Sequence, residues 1–132
     1  MDRFGIVKKD EALAIKQEVI EIRRYLHQHP EEGFDTQNTE NLIREKLTEL
    51  GVELIPSRIG VIGKISGKNH EQTVCLRADI DALVLEEEND IPYKSIYPGK
   101  MHGCGHDGHT AALLGAARAI GTAEKSCRLT FS

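Results

Sequence analysis

A basic footprint is missing from this 132-residue chain: 17 Lys and Arg stand against 21 Asp and Glu, a formal charge of −4. Nucleic-acid binding driven by charge is excluded on that balance. Cysteine is scarce and odd in number, with Cys75, Cys104 and Cys127 alone, too few for a disulfide scaffold. Reduced thiols in a cytoplasmic protein are the expectation. No apolar run approaches the roughly 20 residues that a bilayer span needs. The opening Met1-Asp2-Arg3-Phe4-Gly5-Ile6 lacks the apolar stretch of a signal peptide. No nucleophile elbow, Walker loop or Rossmann fingerprint is read, so serine-hydrolase, nucleotide and NAD chemistries lose. What is present is an ordinary globular mixture, 39% apolar and 29% charged, of one-domain length and able to bury a core.

Periodicity predicts a helix over 10–28, with Ile15, Val19, Ile22 and Leu26 on one face and Pro30 ending it. A second helix is predicted from Asp35 or Thr36, both good N-caps, to Leu50-Gly51. Residues 52–55 and 60–65 read as two β-branched strands, a hairpin or neighbours. Thr73-Val74-Cys75-Leu76 has almost no polar face, as expected of a strand covered on both sides, with Cys75 in the core. Residues 82–105 read as a long loop, which in a small domain is functional or disordered. A helix follows from Thr110 to Ile120, with Asp107 able to cap it. Arg128 to Phe131 then reads as a strand left at a sheet edge, with Cys127 a small apolar residue beside it. Helices alternating with strands predict an α/β fold.

The chemistry concentrates in Met101-His102-Gly103-Cys104-Gly105-His106-Asp107-Gly108-His109-Thr110. Five potential ligands lie within eight positions, and the glycines let the backbone turn tightly enough for side chains to converge. Thiolate and neutral imidazole suit zinc and its borderline-soft neighbours. The bland alternative, solvated histidines beside a capping aspartate, is a poorer account of so dense a set. A second constellation, Leu76-Arg77-Ala78-Asp79-Ile80-Asp81-Ala82-Leu83, follows a strand directly. Its two acids can orient a ligand imidazole or bind metal, or simply make a turn. His27 and His29, ahead of Pro30, read as a polar helix end.

Taken in order, these pieces resemble a known family. Arg23-Arg24-Tyr25-Leu26-His27-Gln28-His29-Pro30-Glu31, Leu76 to Leu83 and Gly99 to Ala111 are similar to three signatures of the metal-dependent amidohydrolases. These include hippurate hydrolase, indole-acetyl-amino-acid hydrolases, N-acyl-amino-acid aminoacylases and N-acetyldiaminopimelate deacetylase. The resemblance implies the N-terminal half of a zinc-exopeptidase-like, three-layer αβα catalytic domain of the phosphorylase/hydrolase-like type, spanning residues 1–132. It implies amide hydrolysis of small N-acyl amino acids at two divalent ions (zinc, manganese, nickel or cobalt). Those ions would polarise the carbonyl and acidify a bridging water.

By the same resemblance, Cys104 and His106 are metal ligands and Asp81 is the acid that orients a ligand beside the catalytic centre. Asp79, Asp107 and His109 lie in the motifs without an assigned role. Val84 stands where the family has proline. Phe131-Ser132 falls just before the family's Pro-Ala-Glu-Glu, the source of its general-base glutamate. The family's dimerisation domain, through which it is often homo-oligomeric, lies later still. The expectation is that this chain alone hydrolyses nothing, with Glu86 to Glu88 the stand-in bases if it does. A truncated non-catalytic metal binder and one half of a split enzyme are the alternatives. No nucleic-acid or membrane partner is expected.

Overall fold

The N-terminal amphipathic stretch forms two helices rather than one, α1 (Lys9–Ala14) and α2 (Lys16–Gln28). They are seen in a computed structural model that describes residues 9–121 and 125–132. Ile15 separates them, and α2 stops at His29, one residue before Pro30 as proline requires. Helix α3 (Gln37–Glu49) begins after Thr36 and ends at Leu50. Glu31 reaches its first turn, where its carboxylate accepts the backbone N–H groups of Asn38 (3.1 Å) and Thr39 (2.6 Å). The cap thus comes from outside the helix.

Strands β1 (Glu53–Ile55) and β2 (Val61–Ile65) form an antiparallel hairpin, one of the two expected arrangements, with Leu54 opposite Gly63. After β3 (Asn69–Ala78) come helix α4 (His106–Ile120) and strand β4 (Lys125–Phe131). The sheet order is β1-β2-β4-β3, with β4 antiparallel to β2 and parallel to β3. The final strand is therefore central. Its backbone is paired on both sides, and Leu129 and Phe131 are fully buried, so the expected exposed edge does not form there.

The true edge beyond β4 is β3, which corrects a second expectation. Val74 is half exposed and Cys75 is an exposed free thiol. A short segment with almost no polar face does not report whether a strand is central or peripheral. Cys127 pairs by backbone with Ile65 and Val74, but its side chain lies outside the described residues.

One core joins Ile22 and Leu26 of α2, Ile43 and Leu47 of α3, Leu114 and Ala117 of α4, and Val61, Leu129 and Phe131 of the sheet. The opposite sheet face carries Lys64, Cys75, Arg77 and Thr130. Among the described residues the mixed α/β fold is thus built in two layers. No helix among them is long and apolar enough to cross a membrane.

Residues 82–105 form a loop, as read, and it is tied down. Leu83 and Met101 exchange backbone hydrogen bonds of 2.9 and 3.1 Å. Ile96 N–H donates to Gln28 O at 3.0 Å, and Gly99 N–H donates to the Glu86 carboxylate at 2.5 Å. Leu85 N–H donates to Leu83 O at 3.0 Å, a γ-turn centred on Val84. Among the described residues no non-glycine has positive φ, so this is the inverse turn, whose φ near −75° proline also adopts. Val84→Pro is expected to leave the fold intact and raise stability by about 0.4–1 kcal/mol. A urea midpoint lowered by the substitution would show that the turn has another geometry.

Candidate metal centre

The loop delivers its donors into the start of α4 through Gly105. That residue has φ 87° and is the N-cap of the helix, a left-handed conformation that glycine takes without strain. The helix consequently starts at His106, four residues before the predicted Thr110. Asp107 lies inside its first turn instead of capping it. Gly103 has a different reason to be small, since a Cβ there would meet Leu85 Cδ2 at 3.1 Å. Gly103 to Gly108 does spell the spacing of a dinucleotide fingerprint. It follows a loop rather than a strand, so that context is missing.

His106 is oriented from behind. Its Nδ1–H points at the carbonyl oxygen of Asp81 (2.9 Å) and at that residue's Oδ1 (3.0 Å). This fixes the tautomer and leaves the Nε2 lone pair for a ligand, the arrangement typical of a metal-bound histidine. Asp79 Oδ2 lies 3.9 Å from that Nε2, while its Oδ1 is engaged by Arg77 at 2.5 Å. Thr110 Oγ1 donates to Asp79 O at 3.1 Å, which ties the strand end to the helix. Cys104 is an exposed free thiol two residues before His106. His109 is exposed, its ring 5.9 Å from that of His106. Thiol, imidazole and flanking carboxylates are a donor set that fits a borderline-soft divalent cation. Among the described residues no three such side chains converge as a ready-made cluster.

His27 is the largest departure from the sequence reading. It is buried, not a polar helix end. Its Nδ1 meets Asp107 Oδ2 at 2.8 Å and its Nε2 meets Glu87 Oε1 at 2.7 Å. Each ring nitrogen thus faces a carboxylate oxygen, and Arg23 Nη2 also lies 3.5 Å from Nδ1. Arg23 Nε joins Asp107 Oδ2 at 2.9 Å. Burial pushes the Glu87 carboxyl up, but Ser95 N–H, His27 and Asn89 outweigh it and hold the group below the ordinary carboxylate value. No local pattern announces this network, because the partners of His27 lie 60 and 80 positions away.

His102 sits nearby, 4% exposed, with no hydrogen-bond partner at either ring nitrogen. Burial, opposed by Asp107 and reinforced by His27 and His106, lowers its pKa to about 4. A histidine depressed in the folded state stabilises it above the unfolded value near 6.5 and loses that contribution as pH falls. The metal-free chain is expected to lose stability steadily between pH 6.5 and about 4. His102→Leu should flatten that slope in urea titrations. An unchanged slope would mean that His102 is protonated in the folded state.

Residues 75–130 match the model of peptidase family M20/M25/M40. Its homologues are M20 peptidases and N-acyl-amino-acid amidohydrolases. One, the N-acetyl-L-cysteine deacetylase of Bacillus subtilis, is 46% identical over 105 residues, covering 78% of this chain and 25% of the relative. The N-acyl-L-amino acid amidohydrolase of Geobacillus stearothermophilus is 44% identical over 106 residues, 79% of this chain and 29% of the relative. A Bacillus subtilis protein described as a dinuclear metal binding peptidase of the M20 family superposes with a TM-score of 0.86 at 36% identity. That superposition covers 90% of this chain and 35% of the other. The chain thus spans about 30% or less of the length of these curated relatives.

Proposed function

We propose that residues 1–132 form the N-terminal part of a catalytic domain that hydrolyses the amide bond of small N-acyl amino acids with divalent metal. The observation that carries this reading is His106, held at Nδ1 by Asp81 so that Nε2 is left for a ligand, with the exposed Cys104 two residues before it. Cys104 and His106 are the metal ligands, Asp81 the residue that orients His106, and zinc, manganese, nickel or cobalt the ions. When bound, the ions supply Lewis acidity toward the scissile carbonyl. Within this chain Asp81 keeps the imidazole proton on Nδ1 and the ring in place. A cytoplasmic setting, supported by the scarce cysteines, and self-association through a further domain, supported by family likeness, belong to the same reading.

The test is a chimera in which this chain replaces the matched third of the Geobacillus amidohydrolase. Chelator-sensitive release of amino acid from N-acetyl substrates is expected. Asp81→Asn, which keeps shape and removes charge, should lower turnover about 10–100-fold with the melting temperature nearly unchanged. A large loss of melting temperature with turnover intact would make Asp81 structural. The 132-residue chain alone should release no amino acid above its metal buffer. Turnover by it that vanished with Cys104→Ser would contradict this and point to Glu86 or Glu88 as base, since Glu87 is committed to His27.

A further inference from the structure

We propose that His27 is a positioning residue for the Cys104–His106 pair, an inference that rests on reading those two as metal ligands. The imidazole is buried on α2 and joins two segments that flank the metal motif. One is the loop, through Glu87. The other is the first turn of α4, through Asp107, the residue after His106. The motif is slung between these anchors. Glu87 also accepts from Ser95 N–H at 2.6 Å and Asn89 Nδ2 at 3.2 Å, so the loop closes around its carboxylate. Tyr93 of the same loop packs edge-on against the His27 ring with a 5.7 Å centroid separation, beneath the Arg23 guanidinium.

His27 cannot itself be a ligand in this arrangement, because both ring nitrogens face carboxylates. What it sets is the rotation of the first turn of α4. Adjacent helical residues point about 100° apart, so holding Asp107 inward dictates where His106 points. Asp81 then holds the His106 ring through Nδ1. The hold is charged at both ends, and a shorter or neutral side chain in place of His27 cannot span Glu87 and Asp107 together.

The experiment titrates cobalt(II) into the 132-residue chain in a Cys75→Ser background, reading thiolate-to-cobalt absorbance, d–d intensity and the urea midpoint. The parent should show the thiolate band. His27→Ala should weaken cobalt binding at least about 10-fold and change the d–d intensity. Leu47→Ala, a truncation of a fully buried apolar side chain on α3, should lower the urea midpoint and leave affinity and spectrum unchanged. Equal affinity in His27→Ala and the parent overturns the proposal. Equal weakening by His27→Ala and Leu47→Ala does so too, since the effect would then be general stability. If His27→Ala does not fold, Glu87→Gln decides: weaker binding supports the proposal and unchanged binding overturns it. A parent without a thiolate band removes the ligand reading itself, an outcome distinct from the others.

Discussion

Asp107→Ala is expected to cost about 3–5 kcal/mol, the range found when one partner of a buried ion pair is removed. Asp107 Oδ2 is shared by His27 Nδ1 and Arg23 Nε, and the side chain is fully buried. Truncation leaves a buried imidazole nitrogen and the Arg23 guanidinium without their carboxylate, while Glu87 still holds the other ring nitrogen. For a chain of this size that loss corresponds to a fall in melting temperature of roughly 10–20 °C. Asp107→Asn keeps an acceptor oxygen and should lose less. A loss below about 1 kcal/mol for the alanine variant, by urea denaturation, would show that the network does not hold α4 to α2.

Gly60→Ala should be comparably severe, for backbone reasons. Gly60 precedes β2 with φ +71°, and a Cβ there would stand 2.1 Å from the carbonyl oxygen of Phe131. That oxygen belongs to the central strand and cannot swing aside as a side chain would. The same residue ties α3 to the sheet: its N–H donates to Glu40 at 3.1 Å and its carbonyl accepts from Arg44 at 3.2 Å. Left-handed geometry alone costs an alanine about 1–2 kcal/mol. Gly33→Ala, at φ +58° with nothing within 4 Å of the added Cβ, isolates that part. Gly60→Ala should exceed it by at least about 2 kcal/mol, in keeping with the strain of overpacking. Equal losses in the two variants would show that the β2–β4 junction relaxes around the methyl group.

What was legible in the sequence was local. Thr36 and Gly51 bracket α3, and the turn between residues 55 and 61 announces the hairpin. What was hidden depends on pairing across the chain. Strand order cannot be read from Arg128-Leu129-Thr130-Phe131, so its central place between β2 and β3 was invisible. Cys75 reads like a core residue until β3 is known to be an edge. Asp107 has the composition of a helix cap, and only the left-handed Gly105 moves the helix start and turns that carboxylate inward. His27 lies beside Leu26, on the flank of the apolar stripe, and that was the one local hint of its burial.

The central claim, that Cys104 and His106 hold the metal, is met most directly by calorimetric titration of zinc into the chain and into Cys104→Ser. Both proteins carry Cys75→Ser, which removes the other exposed thiol among the described residues. Serine keeps the size of the side chain and removes the thiolate, the softest donor in the motif. The account predicts affinity lowered at least about 10-fold with the urea midpoint unchanged. Equal zinc affinity in the two chains would contradict it.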